Sequence, residues 1–580
     1  MRAFLRALPL LFLGLLLYLY LRPREAAVGA SLQRLNFVDV AAEAGLDLVN
    51  VSGDARRWYI PESNGNGSAW LDFDGDGDMD LFLGNGAGMN YVEDGKRLEL
   101  VRGPGCRLYR NDGLMRFHDV TIETGAGRTE WVNALAVGDV DDDGDPDLYL
   151  GCFGPDVFLR KEGTRLVEAT EASGLGNELW AAGAAFADAN LDGALDLYVA
   201  NYCVFDLEHP PAEGRRNSIE GVEVAWGPEG ENGRGYNAGA PDRYWVNDGA
   251  GRFREATKEA GFELGKPLCS YACVWSDVDD DGWPDLMVAN DLQPANLFVN
   301  QDQGRFHDEA FERGFALDAE GKPTSAMGLV VDDFDRDGDF DVLRTNFDLE
   351  PNSLHVNDGT GHFQDLAAAY GLREPSLDRL GWGGAFLDAD RDGDQDILVA
   401  NGHVYPQAAE IGMSPWLQRS QLYEGVPHRK YVTVWRDATA ESGPGLEPLR
   451  SARGVGVADA DEDGDPDVLL VDMDGPPRLL ENQSLSSGHW IGLRLEGKYC
   501  NRDAYGAKVQ VKAGESTWTR EVRTTNGLYS ASDPRLLFGL GDAAEIDEVV
   551  VRWPGGATQV EKRLPVDRYH VIREHAEGTR

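Results

Sequence analysis

The chain has 580 residues, with 54 Lys and Arg against 100 Asp and Glu and a formal net charge of −46. A surface this acidic repels phosphate backbones and offers no basic stripe for counterion release, which excludes nucleic acid and leaves cations, basic surfaces and neutral ligands as partners. Hydrophobic residues at 42%, including 14 Trp, 19 Tyr and 22 Phe, exclude a disordered chain and can fill a sizeable core.

At the N-terminus, Arg2 and Arg6 precede an apolar run from Ala7 to Leu21. As a helix this run spans about 22 Å, short of a hydrocarbon core of about 30 Å, which is signal-peptide length. Cleavage is expected after Val28-Gly29-Ala30, before Ser31. Arg22, Arg24 and Glu25 separate the run from that site, so an uncleaved membrane anchor stays open as the alternative for residues 1–30. Either way the bulk of the chain is expected to be exported, as a secreted, periplasmic or cell-surface protein. Cys106, Cys152, Cys203, Cys269, Cys273 and Cys500 are too few for a disulfide scaffold and leave isolated thiols and one or two disulfides both open.

From residue 72 a nine-residue string recurs seven times: DFDGDGDMD from Asp72, DVDDDGDPD from Asp139, DANLDGALD from Asp188, DVDDDGWPD from Asp277, DFDRDGDFD from Asp333, DADRDGDQD from Asp388 and DADEDGDPD from Asp459. Each copy runs into a short apolar strand signal, such as LYLGC at 148 or ILVAN at 397. A second strand-like element often follows, with Asn-Asp-Gly between apolar runs read as a tight turn, as in RYWVNDGAGRF from Arg243. A returning strand then carries its own signature, for example FHDVTIETGA at 117 and FREATKEAGF at 253.

One further copy, FVDVAAEAGL from Phe37, precedes the first loop, whereas the seventh loop is followed by RLLEN at 478 and WIGLRL at 490 without the signature. The N-terminal segment is therefore expected to complete the last blade. The prediction is an all-β fold: a seven-bladed β-propeller with calcium loops over 31–484, followed by a small all-β C-terminal domain over 485–580. A Gly-, Pro- and Glu-rich stretch at about 203–242 reads as an inserted loop on one face. Trp70, Trp131, Trp180, Trp275 and Trp382 precede their loops by 2, 8, 8, 2 and 6 residues, which puts them on one face if the strands are unbroken, packing between blades or forming an aromatic platform.

Within each string, oxygen side chains at positions 1, 3, 5 and 9 can surround a hard cation, and Gly at position 6 permits the sharp turn. The candidate ligands are Asp72, Asp74, Asp76 and Asp80; Asp139, Asp141, Asp143 and Asp147; Asp188, Asn190, Asp192 and Asp196; Asp277, Asp279, Asp281 and Asp285; Asp333, Asp335, Asp337 and Asp341; Asp388, Asp390, Asp392 and Asp396; and Asp459, Asp461, Asp463 and Asp467. An all-oxygen set points to Ca²⁺, up to seven ions, before any transition metal. An EF-hand would need an acid at position 12, where this chain has Leu83, Leu150, Val199, Val288, Arg344, Val399 and Leu470. Two carboxylates about 4 Å apart repel by about 4 kcal/mol at an effective dielectric near 20, so the ion is expected to be structural. The third loop is the poorest, with Asn190 in place of a carboxylate and Ala194-Leu195 beside it where most copies carry an Asp at position 7.

These strings resemble FG-GAP/VCBS-type repeats, and the resemblance implies a propeller with a calcium loop in each blade. The Gly-Ala-Pro element of integrin propellers is missing. SAMGLVVDDFDRDGDFDVLRTNF from Ser325 and GWGGAFLDADRDGDQDILVANGHVYP from Gly381 are more similar to the cartilage acidic protein 1 family. NRDAYGAKVQV from Asn501, NGLYSASDPRLLFGLG from Asn526 and EVVVRWPGG from Glu548 resemble an ASPIC/UnbV domain, the small all-β module that follows the propeller in that family.

No nucleophile elbow, HExxH, Walker-type loop or zinc-type Cys/His spacing is present. His403 stands out at the exit of a strand in NGHVYP, where it serves either a ligand contact or a turn-stabilising hydrogen bond. The expectation is a non-enzymatic calcium-binding propeller that acts as a binding, adhesion or interaction scaffold for an extracellular or periplasmic protein or glycan, with membrane contact only through an N-terminal anchor. An enzyme or biosynthetic accessory with a site on the propeller face is the alternative.

Overall fold

The computed structural model describes residues 35–57, 59–92, 97–210, 217–219, 222–224, 238–429, 432–523 and 525–575. The proposed signal peptide or anchor at 1–30, and much of the 203–242 insertion, lie outside the described residues.

Seven four-stranded antiparallel sheets form the larger part of the chain. In blade 1 the strands are Ser68–Leu71, Asp80–Leu83, Arg107–Asn111 and Phe117–Asp119, in that spatial order. The first four-residue strand is wholly buried and the outermost exposes two of its three residues, so polarity rises outward along the blade. The innermost strands of the seven sheets neighbour one another in sequence order, and that of blade 7, Ala452–Ala458, returns to Ser68–Leu71. The ring thus has no open edge between blades.

Blade 7 is completed by the N-terminal strand Phe37–Asp39, as the misplaced signature indicated. Phe37 pairs with Asn482 and Asp39 with Leu480 across an antiparallel ladder. Phe37 is fully buried in a cluster with Leu398, Leu446 and Leu480.

The five tryptophans are all buried, but they do not share a face. Trp70 packs against Phe117 of its own blade with ring centres 6.0 Å apart and clusters with Leu469 of blade 7, and Trp275 packs against Tyr198 of the preceding blade at 6.4 Å. Trp131, Trp180 and Trp382 lie at or before register shifts between Val132 and Ala134, Ala181 and Gly183, and Gly381 and Gly384. An irregular pairing reverses the parity of everything beyond it, so these three join a different cluster with Phe153, Tyr202 and Tyr271. All six cysteines are free thiols, five of them buried.

The C-terminal part is all-β. His489–Glu496 pairs antiparallel with Leu536–Gly541 and parallel with Tyr569–Arg573, beside a four-stranded sheet ordered Ser516–Glu521, Lys508–Ala513, Glu548–Arg552, Thr558–Lys562. Its core is continuous with that between blades 2 and 3, where Tyr149, Phe186 and Trp245 cluster with Ile491, Phe538 and Val549.

Residues 526–531 run along the inner strands. Tyr529 O accepts the Leu135 N–H at 2.9 Å, Trp70 N donates to Ala531 O at 3.0 Å, and Asn526 Oδ1 accepts the Val331 N–H at 2.7 Å. A Cβ on Gly67 would lie 2.0 Å from Tyr529 O, so only glycine allows this approach. The helical turn Pro61–Asn64, also buried, meets the same ring: Asn64 Oδ1 accepts from the Tyr271 hydroxyl at 2.9 Å, and Arg453 Nε donates to Ser63 O at 2.8 Å.

Candidate metal centres

Each nonapeptide joins the first and second strands of its blade and folds in one way. Position 4 (Gly75, Asp142, Leu191, Asp280, Arg336, Arg391, Glu462) has φ between 55° and 76°, and the Gly at position 6 has φ between 90° and 103°. The first range is the left-handed region that other residues tolerate; the second strongly favours glycine, which accounts for Gly at position 6 in every copy.

Hydrogen bonds hold this turn. In the loop from Asp139 the position-1 carboxylate accepts the N–H groups of Asp143 at 3.1 Å and Gly144 at 2.8 Å, and Asp188, Asp277, Asp388 and Asp459 do the same in theirs. In all seven loops the position-5 carboxylate accepts the position-7 N–H, at 2.8 to 3.1 Å. Position 9 has a structural duty beyond the ligand role read from its spacing. Asp80, Asp147, Asp196, Asp285, Asp341, Asp396 and Asp467 each take a third-strand N–H at 2.6 to 2.9 Å, tying the loop to its blade.

The residues missed in the sequence are the asparagines of the third strands. Asn111, Asn247, Asn300, Asn357 and Asn482 lie buried in strands rather than in the turns, and each Nδ2 donates to the position-2 carbonyl of the preceding blade's loop: Ala460, Val140, Ala189, Val278 and Ala389, at 2.7 to 2.9 Å. The recurrent Asn before Asp-Gly was the available signal.

Carboxylate oxygens converge in at least five loops: within the sets Asp72, Asp74, Asp76; Asp139, Asp141, Asp143; Asp277, Asp279, Asp285; Asp333, Asp335, Asp337; and Asp388, Asp390, Asp392, one oxygen from each residue lies within 4.8 Å of the others. Asp72 Oδ1, Asp141 Oδ1, Asp279 Oδ1, Asp333 Oδ1 and Asp341 Oδ2 are buried without a hydrogen-bond partner among the described residues. Buried acceptors are normally satisfied, so these orphans fit a cation, and an all-oxygen set with one cramped turn fits Ca²⁺. In the third loop Asn190 Oδ1 takes the Asp192 N–H at 2.9 Å.

Burial, reinforced by neighbouring carboxylates, raises these groups. Asp139, Asp188, Asp277 and Asp459 are pushed up to about 7 and Asp147 to about 8, while Asp285, Asp333, Asp388 and Asp467 lie well above the usual carboxylate range. A cation in the loop opposes this shift with its own charge.

Residues 72–150, 277–344 and 333–399 match the FG-GAP-like repeat model, and residues 497–579 match that of ASPIC and UnbV. The chain carries FG-GAP-like repeats and an ASPIC/UnbV domain. Mouse cartilage acidic protein 1 is 25% identical over 279 residues, which are 47% of this chain and 40% of that protein; the human protein is 26% identical over 280 residues, 47% and 39% of the two chains. The chain thus spans well under half the length of these relatives. A solved Agrocybe aegerita lectin, described as recognising non-reducing terminal N-acetylglucosamine, is 14% identical with a TM-score of 0.34 over 64% of this chain and 80% of the lectin, too distant to bear on function.

The ASPIC/UnbV domain sits on the loop side of the ring. Trp490 lies over Gly464, Trp518 over Gly393 and Arg502 over Gly144, all position-6 glycines. Trp518 Nε1 donates to Gly393 O at 3.0 Å, Arg535 reaches Glu462 at 2.7 Å, and Lys508 reaches Asp280 at 3.1 Å. None of these contacts had a spacing signal in the sequence. His403 is fully buried on the other side of the ring, where its Nδ1 accepts the Tyr405 N–H at 3.3 Å. Burial and the nearby Arg453 lower its pKa to about 3, so it holds the turn as a neutral ring.

Proposed function

We propose that the chain is an exported, calcium-stabilised β-propeller that acts as a binding scaffold for another macromolecule, a protein or glycan, with no catalytic role. The observation that carries the metal part is the set of orphaned carboxylate oxygens inside the loops, from Asp72 Oδ1 to Asp341 Oδ2. Bound calcium would neutralise carboxylates that otherwise repel one another on the loop side of the ring. Each loop is tied to its blade through position 9, and five blades are tied to the preceding loop through an asparagine, so order in one loop is passed to the next.

The scaffold reading rests on what remains accessible. The loop side is covered by the ASPIC/UnbV domain, and residues 526–531 occupy the ring's centre. The opposite side exposes apolar side chains on the loops between second and third strands, among them Val204, Leu292, Leu349 and Leu417. Export rests on the Arg2 to Ala30 pattern; among the described residues no helix is long and apolar enough to cross a membrane.

Thermal melts with excess Ca²⁺ and with excess chelator test the metal reading. Separation by many degrees is expected, and coincident melts would remove it. A pull-down with the calcium-loaded chain lacking residues 1–30 tests the scaffold: a partner retained by wild type and lost on Leu349→Asp supports it, and equal retention counts against this face.

A further inference from the structure

The position-1 carboxylate of the first loop is divided between two domains. Asp72 Oδ2 accepts a hydrogen bond from Arg494 Nη1 at 3.0 Å, while Asp72 Oδ1 is one of the buried oxygens without a partner among the described residues. Arg494 lies on the ASPIC/UnbV strand His489–Glu496, 422 residues away in sequence. In the fourth loop Arg552 donates to Asp277 Oδ2, an oxygen that also accepts the Gly282 N–H at 3.0 Å while Oδ1 accepts that of Asp281 at 3.1 Å, and it lies 2.8 Å from Asp280. Asp279, two residues further on, keeps Oδ1 unpartnered while Oδ2 accepts from Arg313 of its own propeller at 3.1 Å. At the second loop Arg502 stands 3.7 Å from Asp139 Oδ2, and Asp503 accepts the Asp139 N–H at 2.7 Å.

A guanidinium that fixes one oxygen of a carboxylate sets the direction of the other. Outer partners of this kind are worth about 10- to 100-fold in metal affinity. Charge does not set the guanidinium against the metal here. The five carboxylates of loop 72–80 (Asp72, Asp74, Asp76, Asp78 and Asp80) outweigh one Ca²⁺ and one guanidinium together. At 277–285 the five carboxylates, Asp280 among them, balance one Ca²⁺ together with Arg552, Arg313 and Lys508.

We propose that Arg494 and Arg552 are positioning residues of the cation sites in loops 72–80 and 277–285, so that cation binding and docking of the ASPIC/UnbV domain reinforce each other. The coupling is reciprocal by linkage: whatever the docked domain adds to cation affinity, the bound cation adds to docking. The inference rests on the calcium reading above. Loop 188–196 supplies an internal comparison, because Asp188 accepts the same two turn N–H groups as Asp277 but has no guanidinium partner among the described residues.

Hydrogen exchange of the full chain, read peptide by peptide against free Ca²⁺, tests the proposal. In R494A the calcium half-point of the peptide over 72–83 is expected to rise about tenfold or more, while that over 188–199 stays in place. R494K should recover most of the loss, and R552A should act in the same way at 277–288. In the wild type, chelation should raise exchange in His489–Glu496. The side chains of Arg494 and Arg552 are 43% and 31% exposed, so neither substitution leaves a core void, and melting in excess Ca²⁺ verifies that each variant folds. Half-points that stay put or fall in both variants overturn the positioning role while leaving calcium binding intact. If no loop peptide responds to Ca²⁺, the calcium reading fails and the proposal with it.

Discussion

The hydroxyl of Tyr569 donates to Asp459 Oδ2 at 2.8 Å, joining the last strand of the ASPIC/UnbV domain to the first residue of the seventh loop. The Arg535 guanidinium lies 4.4 Å from the centre of the Tyr569 ring and donates to Asp459 O at 2.9 Å and to Asp533 at 2.8 Å. The C-terminal domain is thus seated on a candidate metal loop, whose position-1 carboxylate serves both the turn and the docked domain.

Replacing Tyr569 by Phe keeps the ring under Arg535 and removes one hydrogen bond to a charged acceptor. The expected cost is about 1.5–3 kcal/mol. Hydrogen exchange of the 489–496 peptide against urea should register it, since Trp490 packs against Tyr569 with ring centres 5.4 Å apart. A midpoint equal to wild type would mean that this bond does not hold the domain.

The raised carboxylates set the pH dependence of the calcium-free protein. An ordinary Asp titrates near 3.9 when unfolded. Asp139, Asp188, Asp277 and Asp459, pushed up to about 7, bind protons more tightly in the folded state. Their stabilising contribution is therefore complete below the unfolded value and is lost as pH rises through about 7. Chelated protein should melt at a lower temperature at pH 8 than at pH 6, and the gap between calcium-loaded and chelated melts should widen over the same interval. A gap that is constant or narrows toward pH 8 contradicts the assignment.

Much of this was legible in the sequence, for physical reasons that differ by element. The loops were readable because a turn with positive φ at positions 4 and 6 and carboxylates at fixed steps leaves few other residue choices. Ring closure was readable because Phe37 carries a returning-strand signature with no blade of its own. The parity of Trp131 and Trp382 was not, since a bulge leaves no mark in hydrophobic alternation. Nor was the Asn111 to Ala460 bond, because Asn before Asp-Gly reads as turn chemistry when its side chain in fact crosses to the neighbouring blade. Docking through Arg494 and Tyr569 depends on contacts hundreds of residues apart, which spacing cannot encode.

Two glycines of identical loop position separate backbone strain from docking. Gly338 has φ of 98° and open space where a Cβ would stand, whereas Gly464 has φ of 90° and the Trp490 ring 1.9 Å from that point. Both alanine variants should lose about 1–2 kcal/mol to the left-handed backbone. Only Gly464→Ala should also unseat Trp490, seen as faster hydrogen exchange in the 489–496 peptide. Equal exchange of that peptide in the two variants would place Trp490 elsewhere in solution.

Closure by Phe37–Asp39 predicts a large effect from a small change near the start of the chain. Phe37→Ala removes a fully buried ring from the cluster formed with Leu398 and Leu480, at an expected cost of about 3–5 kcal/mol. Deleting residues 35–39 should go further, because it leaves Arg478–Asn482 as an unpaired outer edge and removes the tie between the two ends of the propeller segment. Aggregation or loss of the cooperative melt is expected on deletion, with the point variant folded but less stable. A deletion variant that melts like wild type would show that blade 7 does not need its N-terminal strand, since three strands would then hold the blade as well as four.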